Sequence, residues 1–179
     1  KMEPITDTEV EFVYHIPTRA IIGLRSLLSS LTKGTAVINS RVIGYEPLGR
    51  AIPKLRRGAL ISQSDGVALS YGLQNAQGRG LTFINPADLV YEGMIIGQNA
   101  KDDDIEINVC KGKKLTNMRS KSSDGIIQLT PPTKLSLEQS LDFLEADELL
   151  EITPVSLRLR KKYLSHLERK RHSHSQNRK

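Results

Sequence analysis

Tryptophan is absent from this 179-residue chain, cysteine occurs once, and aromatic residues make up only 4%. A core must therefore be built from Ile, Leu and Val rather than from rings. Cys110 alone excludes an intrachain disulfide, as expected of a protein from a reducing compartment. No apolar run approaches the ~20 residues of a membrane span, and the first residues lack a signal-peptide pattern. A cytoplasmic protein without a membrane partner is expected. Also missing is the phosphate-cradling G-x-x-x-x-G-K-[ST] loop. Gly112-Lys113-Lys114 has neither the upstream glycine nor the following Ser/Thr, and Gly78 and Gly80 have no lysine in reach. The four histidines, His15, His166, His172 and His174, form no zinc spacing with one cysteine. Catalytic residues, metal ligands and a bound cofactor are accordingly not expected.

What the chain does have is clustered positive charge. The formal net charge is +6, yet Arg160 to Lys179 alone hold eight Lys/Arg and one acid, leaving 18 basic and 19 acidic residues elsewhere. Cations gathered against a neutral body are the footprint of a polyanionic partner, although a solvated tail has the same composition. Two further clusters stand out. Lys111, Lys113, Lys114, Arg119 and Lys121 fall in a stretch with no acid from Asn108 to Ser123, among Gly, Ser, Thr and Asn that donate to phosphate and ribose oxygens. Arg50, Lys54, Arg56 and Arg57 make a second group in a Pro- and Gly-bearing segment. Without an aromatic stacking platform, recognition of shape and phosphate is expected over base reading. The six acids from Glu138 to Glu151 follow helix-surface spacing around Leu137, Leu141 and Leu144 and read as a solvated face. Cys110 ends an apolar strand and reads as a small buried hydrophobe.

Periodicity predicts a strand at Glu9 to Ile16, a helix capped by Thr18 with Ile21, Leu24, Leu28 and Leu31 on one face, a stop at Gly34, and a strand at Thr35 to Ile43. This β-α-β stretch is too short for a stable domain and reads as half of one. After a linker at Glu46 to Gly58 come many short strands. A hairpin around Ser64-Asp65-Gly66 joins Ala59–Ser62 to Val67–Leu73, followed by Leu81–Ile84, Met94–Gln98, Ile105–Cys110 and Ile126–Leu129. Ser136 and Gln139 form a capping-box pattern opening a helix. Leu149–Thr153 and Val155–Leu159 are strands, Lys161–Arg171 is a basic helix, and 172–179 is a disordered basic tail. The class is α+β: a partial ferredoxin-like β-α-β unit at 1–46, then a mainly antiparallel, β-barrel-like domain with two helices at 47–171.

Several motifs then point to a family. Glu92-Gly93-Met94-Ile95-Ile96-Gly97, Gly112-Lys113-Lys114-Leu115-Thr116-Asn117-Met118-Arg119 and Asp147-Glu148-Leu149-Leu150-Glu151-Ile152-Thr153-Pro154 resemble the C-terminal signature of BipA/TypA translational GTPases. Leu137-Glu138-Gln139 and Ser156-Leu157-Arg158-Leu159-Arg160-Lys161 do likewise. Ile16-Pro17-Thr18-Arg19 with Ile22-Gly23 resembles the entry to the last helix of the elongation-factor-like fifth domain, with departures at Ala20, Leu24, Leu28 and Ala36. The resemblance implies the second half of that domain followed by the family-specific C-terminal domain, the rest of domain V preceding Lys1. It further implies a parent GTPase that binds GTP and Mg in a domain this chain does not contain, stimulated by the ribosome and acting in stress-responsive translation and large-subunit assembly. The implied partners are the ribosome, large-subunit rRNA and the acceptor end of A-site tRNA, met by a monomer. The RNA contacts carried over are Lys111, Lys113, Lys114, Thr116, Asn117, Met118, Arg119 and Lys121, with Arg50, Lys54, Arg56, Arg57, Arg160, Lys161 and Lys162 as secondary contacts. The rival expectation is a protein-interaction module that docks a basic ribosomal protein through the acidic segment 136–151.

Overall fold

The computed structural model describes residues 1–47, 49, 56–112 and 127–176, and its contacts divide the chain into two units, Lys1–Leu55 and Arg56–Lys179. In the first, strands β1 (Met2–Pro4) and β2 (Val10–Phe12) pair antiparallel, with Glu3 opposite Glu11. A 3-10 turn at Thr18–Ala20 starts after Pro17, whose φ of −67° suits a helix entrance. Helix α1 (Leu24–Leu31) follows Gly23 and carries the expected Leu24, Leu28 and Leu31 stripe. It stops where expected: Gly34 takes φ +87° and donates its N–H to the Ser29 carbonyl at 2.7 Å, a conformation that costs glycine least.

The expected strand at Thr35–Ile43 is not formed. A strand exists only through a ladder with a neighbour, and β1–β2 is the unit's sole ladder among the described residues. Val37, Val42 and Ile43 are consequently exposed.

The second unit is a mixed sheet between helices. Its elements are β3 (Ala59–Ser62), β4 (Gly66–Val67), α2 (Ser70–Gln77), β5 (Gly80–Thr82), β6 (Leu89–Val90), β7 (Met94–Asn99), β8 (Ile105–Ile107), α3 (Leu137–Phe143), β9 (Glu148–Ile152), β10 (Leu157–Lys161) and α4 (His166–Gln176). The sheet runs β8-β3-β7-β10-β9, with β5 also on β7, while β4 and β6 pair separately. All these pairings are antiparallel except β3 with β8. The class is thus α+β and mainly antiparallel, as expected.

Alternation along the central strands divides the core in two. Leu60, Met94 and Ile96 join Leu73 and Ala76 of α2 on one face. Ala59, Ile61, Ile95 and Leu159 join Phe143 of α3 on the other. With both faces covered, β7 is buried along almost its whole length. Gly97 lets β5 cross closely, since a Cβ there would lie 2.1 Å from the Leu81 carbonyl oxygen.

The expected hairpin around Asp65 is replaced by other pairings. β3 bonds to β7 and β8, β4 bonds to β6, and the predicted strand Val67–Leu73 turns instead into α2 at Ser70. Burial of Gly72, Leu73 and Ala76 on one helical face decides the matter, with Gly72 lying directly on the Val109 backbone. At 127–129 no strand forms, and Ile126 lies outside the described residues. The capping box is present: Gln139 N–H donates to Ser136 Oγ at 3.2 Å and Ser136 N–H to Gln139 Oε1 at 2.9 Å. Helix α4 begins at His166 and continues to Gln176, so 172–176 are helical where a disordered tail was expected.

Candidate nucleic-acid interface

The second unit sorts its cations into two sets. Lys161, at the end of β10, is 1% exposed. Its ammonium meets Asp104 at 2.6 Å, Glu148 at 2.8 Å and Asp147 at 2.9 Å. Arg56 meets Glu148 at 2.5 Å and Glu145 at 3.3 Å, with its guanidinium 4.1 Å from the Phe143 ring centroid. Burial alone would push the Lys161 ammonium down, but the hydrogen bonds to Asp104 and Glu148 outweigh it and hold the group well above its usual range. At Asp104, burial pushes the carboxyl up, yet the Ala59 N–H and Lys161 together keep it below its ordinary value.

These partners correct two of the expected RNA contacts. Lys161 and Arg56 point into the fold and are spent on its own carboxylates. Arg160 is also turned to the protein, with Nε 2.6 Å from Glu151, and Arg57 donates to the Ala100 carbonyl at 2.7 Å while its side chain reaches the surface. The acids undergo the same sorting. Glu145, Asp147, Glu148 and Glu151 lie beyond the end of α3 and ion-pair within the fold, so they are not the solvated helix face the spacing implied. This removes most of the charge on which a docking role for 136–151 relied.

A second ionic knot fixes α4. Glu106 on β8 accepts from Arg169 at 2.5 Å and faces His166 Nδ1 at 2.7 Å, while Glu92 accepts the His166 N–H at 2.9 Å. Burial raises the Glu106 carboxyl, but the bonds from Arg169 and His166 win and hold it below the usual carboxylate range. Gly93, at φ +83°, allows the chain before α4 to pass, because a Cβ would stand 2.7 Å from the Leu164 backbone.

Several other cations face outward. Lys111, Arg79, Lys162, Lys170 and Arg171 are exposed and make no ion pair among the described residues. Lys162 lies over the Tyr163 ring, 5.9 Å from its centroid. Lys111 begins the expected RNA-binding run, and Lys113, Lys114, Thr116, Asn117, Met118, Arg119 and Lys121 lie outside the described residues, as do Arg50 and Lys54. Arg79, with Asn75, Asn108 and Lys111, lines a groove of about 240 Å³ between α2 and β8. Arg79 and Asn75 were not singled out in the sequence, because they follow a stretch, Val67–Leu73, that reads as a strand, and nothing there announces a helix with a polar outer face.

Comparison with known proteins bears on the same residues. Residues 57–166 match the family model described as TypA/BipA C-terminal domain, and residues 1–55 match the one described as Elongation factor G C-terminus. The chain belongs to the TypA/BipA family. Relatives named "Large ribosomal subunit assembly factor BipA" include that of Synechocystis sp., 42% identical over 154 residues, which are 86% of this chain and 26% of the relative. That of Haemophilus influenzae is 43% identical over 171 residues, 95% and 28% of the two chains, and that of Salmonella typhimurium 39% over 176 residues, 98% and 29%. The chain therefore spans between a quarter and a third of these BipA relatives. The TypA/BipA match takes in the sheet, the groove and most of both ionic knots, leaving out Arg56 and Arg169, and ends at the first residue of α4. No helix among the described residues is long and apolar enough to cross a membrane.

Proposed function

We propose that this chain is the ribosome-anchoring C-terminal module of a cytoplasmic translational GTPase, and that it grips large-subunit RNA through the cationic segment beginning at Lys111. The observation that carries this reading is the sorting of charge. Arg56, Lys161 and Arg169 neutralise the interior carboxylates, leaving Lys111, Arg79, Lys162, Lys170 and Arg171 outward and uncompensated. Uncompensated surface cations attract a phosphate backbone and release its counterions. The names of the relatives, all large-subunit assembly factors, supply the ribosome as the polyanion.

In this reading Lys111, Lys113, Lys114, Arg119 and Lys121 neutralise phosphates, Thr116 and Asn117 hydrogen-bond to backbone oxygens, and Met118 packs against the RNA. The acceptor end of A-site tRNA is a second contact of the same segment. GTP and Mg are held by the part of the parent protein that this chain does not span, and the chain itself turns over no nucleotide. Neutralising about five phosphates gives a slope of log affinity against log salt on the order of −4.

The test is sedimentation of the chain with purified 50S subunits at rising salt, beside a variant with Lys113, Lys114 and Arg119 changed to Ala. Salt-sensitive binding that the triple variant loses is the expected result. Binding that ignores both salt and the substitutions would sink the mechanism.

A further inference from the structure

The groove between α2 and β8 has a chemical character of its own. Asn75 and Arg79 reach it from the C-terminal half of α2 and the turn after it, while Asn108 and Lys111 reach it from the strand end opposite. Two cations and two amides thus converge on one depression. The single acid in its lining, Glu106, is already neutralised by Arg169 and lies within hydrogen-bond reach of His166 Nδ1. Of the carbonyls at the end of α2, those of Gln74 and Ala76 already accept the N–H groups of Gly78 and Arg79.

The amides narrow the ligand further. Asn108 Oδ1 accepts the Cys110 N–H at 3.0 Å, which fixes the side chain and leaves its NH2 as a donor. Asn75 is exposed and offers both a donor and an acceptor, the pairing a ribose 2′-hydroxyl requires. The groove also includes Lys111, the first cation of the proposed RNA-binding run.

We infer that this groove is a second RNA-backbone subsite, in which Arg79 and Lys111 hold a phosphodiester and Asn75 and Asn108 address the adjoining ribose. The subsite rests on the RNA-anchoring reading and extends it to α2 and the end of β8.

The test measures binding of the full chain to a 20-base-pair RNA duplex and to a DNA duplex of the same sequence across a salt series. Variants are Arg79→Gln, Asn75→Ala and the Lys113/Lys114/Arg119 triple alanine. Arg79→Gln is expected to weaken RNA binding and make the salt slope shallower by about 0.9, one phosphate contact, with an unchanged melting temperature because the side chain is exposed. Asn75→Ala is expected to reduce the preference for RNA over DNA while keeping the slope.

An unchanged slope in Arg79→Gln, with binding lost in the triple variant, overturns the subsite and leaves the anchoring function standing. Absence of any RNA binding by the unmodified chain overturns both. Displacement of the RNA by a poly-glutamate peptide more readily than by inorganic pyrophosphate overturns the phosphate assignment and identifies an acidic protein as the occupant.

Discussion

At the scale of single residues, Lys161 carries the largest electrostatic burden. Removing one member of a buried ion pair leaves uncompensated charge, at a cost of about 3–5 kcal/mol. Lys161→Met takes the ammonium away from Asp104 and Asp147 and leaves Glu148 with Arg56 alone, and urea unfolding should show a loss of that size. The pH dependence follows from the directions of the shifts. Asp104 is held below its unfolded value, so its contribution is present above the unfolded pKa of about 3.9 and disappears as pH falls through the folded one. Lys161 is raised, so its contribution is full below about 10.4 and disappears only as pH climbs through the higher folded value. Stability measured by urea titration should hold a plateau between these limits and fall at the acid edge, and Lys161→Met should flatten that fall. Composition alone did not disclose this. Lys161 and Lys162 are adjacent lysines, and β10 sends the first inward at its last position while the second, just past the strand, is exposed.

At the scale of elements, legibility followed length and local signals. The helix α1, its Gly34 stop, the capping box of α3 and the strands β7, β9 and β10 were all readable because periodicity or capping chemistry is local. Helix α2 was not: it is eight residues long, contains Gly72, and follows Val67-Ala68-Leu69, which reads as β. Its existence depends on distant residues, Val109 and the inner face of β7. Gly72→Ala tests that dependence. A Cβ placed 2.3 Å from the Val109 carbonyl oxygen must push the helix outward, and a loss of about 1–3 kcal/mol is expected despite alanine's better helix propensity. Thermal unfolding followed by circular dichroism gives the value. A gain in stability would show that α2 relaxes freely, and would weaken the placement of the groove it lines. The strand expected at Thr35–Ile43 failed for the converse reason: β propensity there was legible, but a partner edge is not a property of the segment.

For the whole molecule, all members of both apolar clusters lie between Ala59 and Leu159, so the second unit owns its core. Residues 56–179 produced alone should unfold cooperatively by calorimetry, within a few degrees of the full chain. A broad, non-cooperative transition would mean that residues before Arg56 complete the core. The family resemblance supplied the identity of both units, while the candidate interface was legible only as a charge count. Which cations remain for a partner was settled by where the carboxylates sit after folding, and that depends on the packing of β9, β10 and α3.

Arg56 gives that packing a mechanical meaning. It is the first residue of the second unit, and its guanidinium is clamped by Glu148 and Glu145 against the Phe143 ring. A tug arriving along the chain from residue 55 is therefore met at once by a side chain moored to β9 and α3. The load is shared across several elements before it can peel β3 from its neighbours. The junction acts as a cleat, with the ion pair set where the rope comes aboard.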